Sequence, residues 1–217
     1  MIKAVVFDFD GLIIDTETVW YEAYKEVFQE HDLHLPMDEF LKCIGTDIDF
    51  LAEYFQGEID AKEKRAAITA KAAEKHTKKM KWVNTRGGVR EYLAEAKQLG
   101  LRIGLASSSS KDWVEGFLKQ LDILHYFEVI RTREDVTKVK PDPALYLSAI
   151  EALEVKSYEA VAFEDSANGA KAAKDAGLKC VIVPNEVTKS LEFVEVDLRI
   201  GSMDEVGLRH VIGRISE

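Results

Sequence analysis

The chain has 217 residues, 47% hydrophobic and 31% charged, a balance that buries a sizeable core and excludes general disorder. Lys and Arg total 29 against 39 Asp and Glu, a formal charge of −10, so no basic excess exists to displace phosphate counterions, and neither nucleic acid nor an anionic membrane is an expected partner. Two cysteines, Cys43 and Cys180, cannot build a disulfide framework, and no apolar run approaches the roughly 18 residues of a membrane span. The opening MIKAVVFDFDG places acids where a signal peptide needs its cleavage site, and a cytoplasmic location is expected.

Residues 2–7 are a short β-branched apolar run, the pattern of a strand buried on both faces. Beyond Asp15 the pattern changes to helical periodicity, which persists to residue 83. Val19, Trp20, Ala23, Tyr24, Val27 and Phe28 form one apolar stripe, and a second helix is expected from Met37 to Cys43, ending near Gly45. Residues 58–81 carry eight Lys and Arg against four Asp and Glu. The basic face of Lys71, Lys75, Lys78 and Lys79 fits a solvated surface or a lure for anionic substrates. His31 and His34 have no third ligand nearby and read as solvated.

From Val89 onward helices alternate with strands. The strands are expected over residues 101–106, 160–163 and 180–183, with weaker candidates at 127–130 and 197–200. Val89, Tyr92, Leu93, Ala96 and Leu99 share a helical face closed by Gly100, and Trp113, Val114, Phe117, Leu118 and Leu121 repeat it. A third helix contains Leu145, Tyr146, Ala149, Ile150 and Leu153, with Asp142 expected as N-cap and Pro143 at the first position. Residues 167–176 form a small-residue helix closed by Gly177. The alternation implies an α/β fold: a doubly wound parallel sheet over residues 1–15 and 84–217, with residues 16–83 inserted as a helical domain.

The chemistry-bearing residues stand where strands end. Asp8 and Asp10, two apart, project to the same side just past the first strand, and Gly11 lets the backbone turn after them. Alone, such a motif also fits a polar turn. The second strand runs into Ser107, Ser108, Ser109 and Ser110, hydroxyls and amides at a helix start that could hold an anion. Lys140 lies in Val139-Lys140-Pro141-Asp142-Pro143, where the prolines restrict the backbone and could aim the lysine. Glu164, Asp165 and Ser166 follow Phe163, where a helix cap would also suffice.

The ordered set Asp-x-Asp, Ser, Lys, Glu-Asp resembles the four motifs of the haloacid dehalogenase superfamily, across nearly the whole chain. The stretches DFDGLIIDTE, LASSSS, VKPDP and FEDSANG are similar to the β-phosphoglucomutase and phosphoglycolate phosphatase group, whose small helical cap follows the first motif. The resemblance implies Asp8 as nucleophile, Asp10 as general acid and base and as a metal ligand through its carbonyl, Ser107 and the Ser108 amide as phosphate ligands, and Lys140 as the neutralising cation. It implies Asp165 as a metal ligand, with Glu164 as a ligand or its orienter. An all-oxygen set around a phosphate favours Mg²⁺.

The second carboxylate, Asp10, separates phosphoryl transfer from dehalogenation, which needs neither it nor a metal. The expected function is a Mg²⁺-dependent phosphatase acting on small phosphorylated metabolites, sugar or polyol phosphates. A β-phosphoglucomutase-like mutase is the alternative. Against it, Trp20 stands at the position matching the mutases' cap histidine, no Arg follows Gly45 and Thr46 in the substrate loop, and the cap lysine falls on Ala73, with Lys71 and Lys75 nearby. Trp20 could floor a substrate pocket or anchor the cap core, and the core role is favoured. A phospho-accepting receiver module, a third reading, would place its acceptor on a later strand and lack the helical insertion. A monomer is the default expectation, with the oligomeric state otherwise open.

Overall fold

The computed structural model describes residues 1–41, 62–193 and 195–216. Cys43, Gly45 and Thr46 lie outside the described residues. Strands β1 (Ala4–Phe7), β2 (Arg102–Ala106), β3 (Val129–Arg131), β4 (Ala160–Glu164), β5 (Lys179–Ile182) and β6 (Leu198–Arg199) form one sheet in the order β3-β2-β1-β4-β5-β6, with every pairing parallel. The helices described are α1 (Thr16–Gln29), α2 (Met37–Leu41), α3 (Lys62–Met80), α4 (Val89–Gln98), α5 (Lys111–Gln120), α6 (Ala144–Ala152), α7 (Ala167–Asp175) and α8 (Leu208–Ile215). Among the described residues no helix is long and apolar enough to cross a membrane.

The strand sequences account for a sheet covered on both faces. Successive side chains point to opposite sides. Val5 and Phe7 of β1 and Val161 and Phe163 of β4 join a core with Leu93 of α4, Val114 of α5 and Val211 of α8. Ala4 and Val6 of β1 and Ala160 and Ala162 of β4 join the opposite core with Leu145 and Ala149 of α6 and Ala173 of α7. Phe7 sits in register with Phe163, and their rings stack at 5.1 Å. Cys180 is buried in the second core, as its strand position implies. Gly100 and Gly177 close their helices at φ of 69° and 80°.

Helix α6 begins one residue later than its sequence suggests. Pro143 is the cap residue, and Asp142 Oδ1 accepts the Ala144 N–H at 3.0 Å from one position further out.

Helices α1, α2 and α3 pack on a core of their own, in which Tyr24, Val27, Phe28 and Phe40 meet Ile68 and Ala72. Removing a side chain such as Phe28 from water contributes about 1.5–3 kcal/mol. The basic face of α3 is solvated, as expected, but its lysines are paired. Lys75 pairs with Glu26 at 2.9 Å and Glu30 at 3.1 Å, Lys79 with Glu26 at 2.9 Å, and Lys71 with Glu30. These half-exposed pairs line up α3 against α1 more than they stabilise it. His31 and His34 are exposed.

Two chain crossings join this helical segment to the sheet, and they meet. Ile14 bridges Thr85, and the Arg86 amide donates to the Ile13 carbonyl at 2.8 Å. The Arg86 guanidinium then binds the carbonyls of Gly11 (2.6 Å), Val183 (2.9 Å) and Pro184 (2.7 Å), tying the loop after β1 to the loop after β5. Charge-assisted bonds to carbonyls that are otherwise hard to satisfy are among the stronger side-chain contacts. Arg86→Ala is expected to lower unfolding stability in urea by about 3 kcal/mol, and a change below about 0.5 kcal/mol would contradict this role.

Candidate active site

The sheet order creates the site. The chain winds outward from β1 through β2 to β3, then returns to place β4 on the other side of β1, so the β1–β4 boundary is the switch point where such sheets leave a crevice at their carboxyl ends. Asp8 follows β1, Asp165 follows β4, and Glu164 is the last residue of β4. Asp8, Glu164 and Asp165 are all buried, and each offers a carboxylate oxygen within 4.8 Å of the others.

Lys140, 132 residues from Asp8 in sequence, enters this cluster from the loop ahead of α6. Its Nζ lies 2.5 Å from Asp8 Oδ1 and 2.6 Å from Glu164 Oε1, with the side chain only 6% exposed. It also sits over the Tyr146 ring, 4.8 Å from the centroid. Burial opposes the Lys140 charge, but the two carboxylates outweigh it and hold its pKa above the usual lysine range. Burial likewise pushes Asp8 up to about 8, against the pull of Lys140 and with the push of Glu164. Asp165 is raised well above the ordinary carboxylate range by burial first and then by Asp8 and Glu164.

Glu164 is saturated with donors. Its Oε1 accepts from Lys140 and from the Tyr146 hydroxyl at 2.7 Å, and its Oε2 accepts from the Asp165 amide and from the amide and hydroxyl of Ser166. That set of bonds makes Glu164 hold Lys140 and the β4–α7 turn in place, while its carboxylate still belongs to the cluster that could hold a metal. Gly169 on α7 makes room for it: a Cβ there would lie 1.9 Å from Glu164 Oε1. Asp165 is oriented by Asn185, whose Nδ2 donates to Asp165 Oδ2 at 2.8 Å while its Oδ1 is held by the amides of Val187 and Thr188. Gly11 has a φ of 80°, and a Cβ there would fall 2.1 Å from Asp165 Oδ2. The turn after Asp10 therefore needs glycine for backbone shape and for space.

Asp10 is held apart from this cluster by other donors. Ser109 Oγ donates to Oδ2 at 2.6 Å, the Trp113 indole N–H donates to Oδ1 at 2.9 Å, and Ser107 Oγ is 3.4 Å from Oδ2. Burial raises the Asp10 pKa above the ordinary range, with Ser109 and Trp113 opposing. Two neighbouring carboxylates thus have distinct environments, one facing an ammonium and one facing neutral donors. Ser107 accepts from the Ser109 amide at 3.0 Å, Ser108 lies in the turn that follows, and Ser110 caps α5 by accepting the Trp113 amide.

The structure brings Asp8, Asp10, Ser107, Lys140, Glu164 and Asp165 to one rim of the sheet. Trp20 faces the same region, stacked on His76 at 3.7 Å and lining a cleft beside Asp10, so its role is not confined to the helical core. The sequence pointed to no site role for Trp113, Tyr146, Asn185 or His76, and it placed Ser109 only in an anion-holding turn, not against Asp10. Tyr146 and Trp113 were visible only as members of apolar stripes, although a buried Tyr hydroxyl or Trp N–H requires a partner, and that requirement was the available signal. The oxygen-only donor set and the uncompensated negative charge of the cluster fit a hard divalent cation.

The haloacid dehalogenase-like hydrolase family matches residues 5–183. The YhcW protein of Bacillus subtilis is 49% identical over 217 residues, all of this chain and 99% of that protein. Hexitol phosphatase B of Escherichia coli is 29% identical, covering 98% of this chain and 97% of its own. The crystal structure of CbbY from Rhodobacter sphaeroides in complex with phosphate superposes with a TM-score of 0.74 at 31% identity, covering 95% of this chain and 97% of that one. Spanning all four strand-end motifs, the match identifies the chain as a member of the haloacid dehalogenase-like hydrolases.

Proposed function

We propose that the chain is a Mg²⁺-dependent phosphatase that hydrolyses a small sugar or polyol phosphate through a phosphorylated Asp8. The observation that carries this reading is the bridge of Lys140 between Asp8 and Glu164, with Asp165 alongside and Asp10 held separately on Ser109 and Trp113. The name of the hexitol phosphatase relative supports the substrate class. In the same reading, residues 16–83 are a cap over a core of residues 1–15 and 84–217, the substrate is a soluble metabolite, and the location is cytoplasmic.

Asp8 attacks the phosphorus, and the bond to the leaving oxygen breaks as Asp10 gives that oxygen its proton. Asp10, now a carboxylate, takes a proton from water as the water attacks phosphorus, and the Asp8–phosphorus bond breaks to release phosphate. Its raised pKa lets it carry a proton into the first step. Lys140 offsets charge on Asp8 and the phosphoryl oxygens, while the Ser107 hydroxyl and the Ser108 amide bind the phosphoryl group. Mg²⁺ would be held by Asp8, Asp165 and the Asp10 carbonyl, and it supplies the remaining positive charge that three clustered carboxylates and a phosphate dianion require.

Asp8→Asn is expected to cut phosphate release from a phosphomonoester with Mg²⁺ by about 10³-fold or more. Undiminished turnover would remove the nucleophile, and conversion of β-glucose 1-phosphate mainly to glucose 6-phosphate would replace the phosphatase with the mutase.

The pH dependence of metal binding follows from Asp8. Its folded pKa of about 8 lies above the unfolded value of roughly 3.9, so between these pH values the folded metal-free protein holds more protons. Its stability therefore falls as pH rises through that window, and bound Mg²⁺ restores what is lost. The increase in Tm on adding Mg²⁺ is expected to be larger at pH 8 than at pH 5. Equal shifts at both pH values, or none, would contradict a cation on Asp8.

A further inference from the structure

Beside Asp10 lies a cleft of about 460 Å³, between the helical segment and the sheet. Thr16, Glu17 and Trp20 of α1 and His76 of α3 form one wall, and Asp10 and Trp113 form the other. Its size suits a small metabolite. Two side-chain atoms of this wall are buried without a hydrogen-bond partner, Thr16 Oγ1 and His76 Nε2, in residues each 3% exposed. Buried polar atoms in folded proteins are almost always paired, and those left over at a cleft wall point to a ligand.

The His76 ring is fixed in place. It stacks on Trp20 with centroids 3.7 Å apart and planes within 9°, and it faces Trp113 at 6.1 Å and 16°. Burial pushes its pKa down to about 4, so the imidazole is neutral at working pH. A neutral imidazole has one donor and one acceptor nitrogen, the complement of a hydroxyl, whereas a phosphate or carboxylate would use only the donor and gain no positive charge from the ring to offset its own. Glu17 in the same wall, its pKa pushed up to about 7 by burial and then by Asp10 and Asp15, offers a second anion no positive charge. The Trp113 indole N–H is taken by Asp10, so what this residue adds to the cleft is apolar ring surface.

We propose that His76 determines substrate specificity: with Thr16 it hydrogen-bonds hydroxyls of an uncharged, polyhydroxylated leaving group, so the site accepts polyol and sugar monophosphates and rejects esters with a second phosphate or a carboxylate at that end. This rests on the phosphatase reading and adds to it the residue and the charge class of the leaving group.

The test compares kcat/KM for sorbitol 6-phosphate, fructose 1,6-bisphosphate and p-nitrophenyl phosphate, with Mg²⁺, in the wild type and in His76→Phe, His76→Gln and Thr16→Val. The wild type is expected to prefer sorbitol 6-phosphate to the bisphosphate. His76→Phe, which keeps the stack and loses the polar edge, is expected to lower the ratio of sorbitol 6-phosphate to p-nitrophenyl phosphate about ten-fold, mainly through KM. His76→Gln should recover part of that ratio. Thr16→Val gives an independent reading of the same subsite should the His76 variants fold poorly, with the same direction of change. Loss on both substrates with the ratio unchanged, or a wild type that turns over the bisphosphate as well as the monophosphate, would overturn the inference alone. No phosphate release from any of the three by the wild type would remove the phosphatase reading along with it.

Discussion

A single buried ammonium holds the site together. Lys140 lies between Asp8 and Glu164, with Asp165 close by, and one positive charge faces three carboxylates in a desolvated crevice. Two carboxylates 4 Å apart repel by about 4 kcal/mol at an effective dielectric near 20, so such a cluster persists only if its charges are compensated from several sides or relieved by protons, as the raised pKa values of Asp8 and Asp165 indicate for the metal-free protein. The fold supplies that compensation in pieces. Tyr146 and the first amides of the β4–α7 turn serve Glu164, Asn185 serves Asp165, and Arg86 secures the loops that carry Gly11 and Asn185. The charge still missing is the physical reason for a divalent cation.

The sheet topology makes this convergence possible. Because β1 and β4 are neighbours although more than 150 residues separate Asp8 from Asp165, residues remote in sequence meet at one end of the sheet. The helical segment enters and leaves at adjacent points, Ile14 and Thr85, so it sits beside Asp10 without disturbing β1. In the proposed reading the nucleophile and metal ligands belong to the ends of the sheet strands, and the groups that would meet the leaving group belong to α1 and α3, a division that separates chemistry from selectivity.

Much of this was legible in the sequence because strand ends announce themselves. An apolar run followed by Asp8 and Asp10, by Ser107, or by Glu164 and Asp165 puts polar groups where a parallel sheet opens to its ligand. Less legible were residues whose polar atom rides on an apolar body. Trp113 and Tyr146 scored as core-facing positions, which they are, yet their N–H and O–H bind Asp10 and Glu164. Ser109, not Ser107, makes the short bond to Asp10, because direction within a four-serine turn depends on where α5 begins. His76 lies in a basic stretch, but Lys75 and Lys79 there pair with α1, Lys78 pairs with Glu74 of its own helix, and His76 lines the cleft. Asn185, in the turn after β5, had no local pattern to mark it, and its role exists only once β5 stands beside β4.

The most direct measurement is a crystal structure of the protein grown with Mg²⁺ and inorganic phosphate. The account predicts one ion bound by carboxylate oxygens of Asp8 and Asp165 at about 2.0–2.1 Å, with Lys140 in contact with the phosphate. An ion bound elsewhere, or a phosphate that avoids the Asp8 rim, would contradict it.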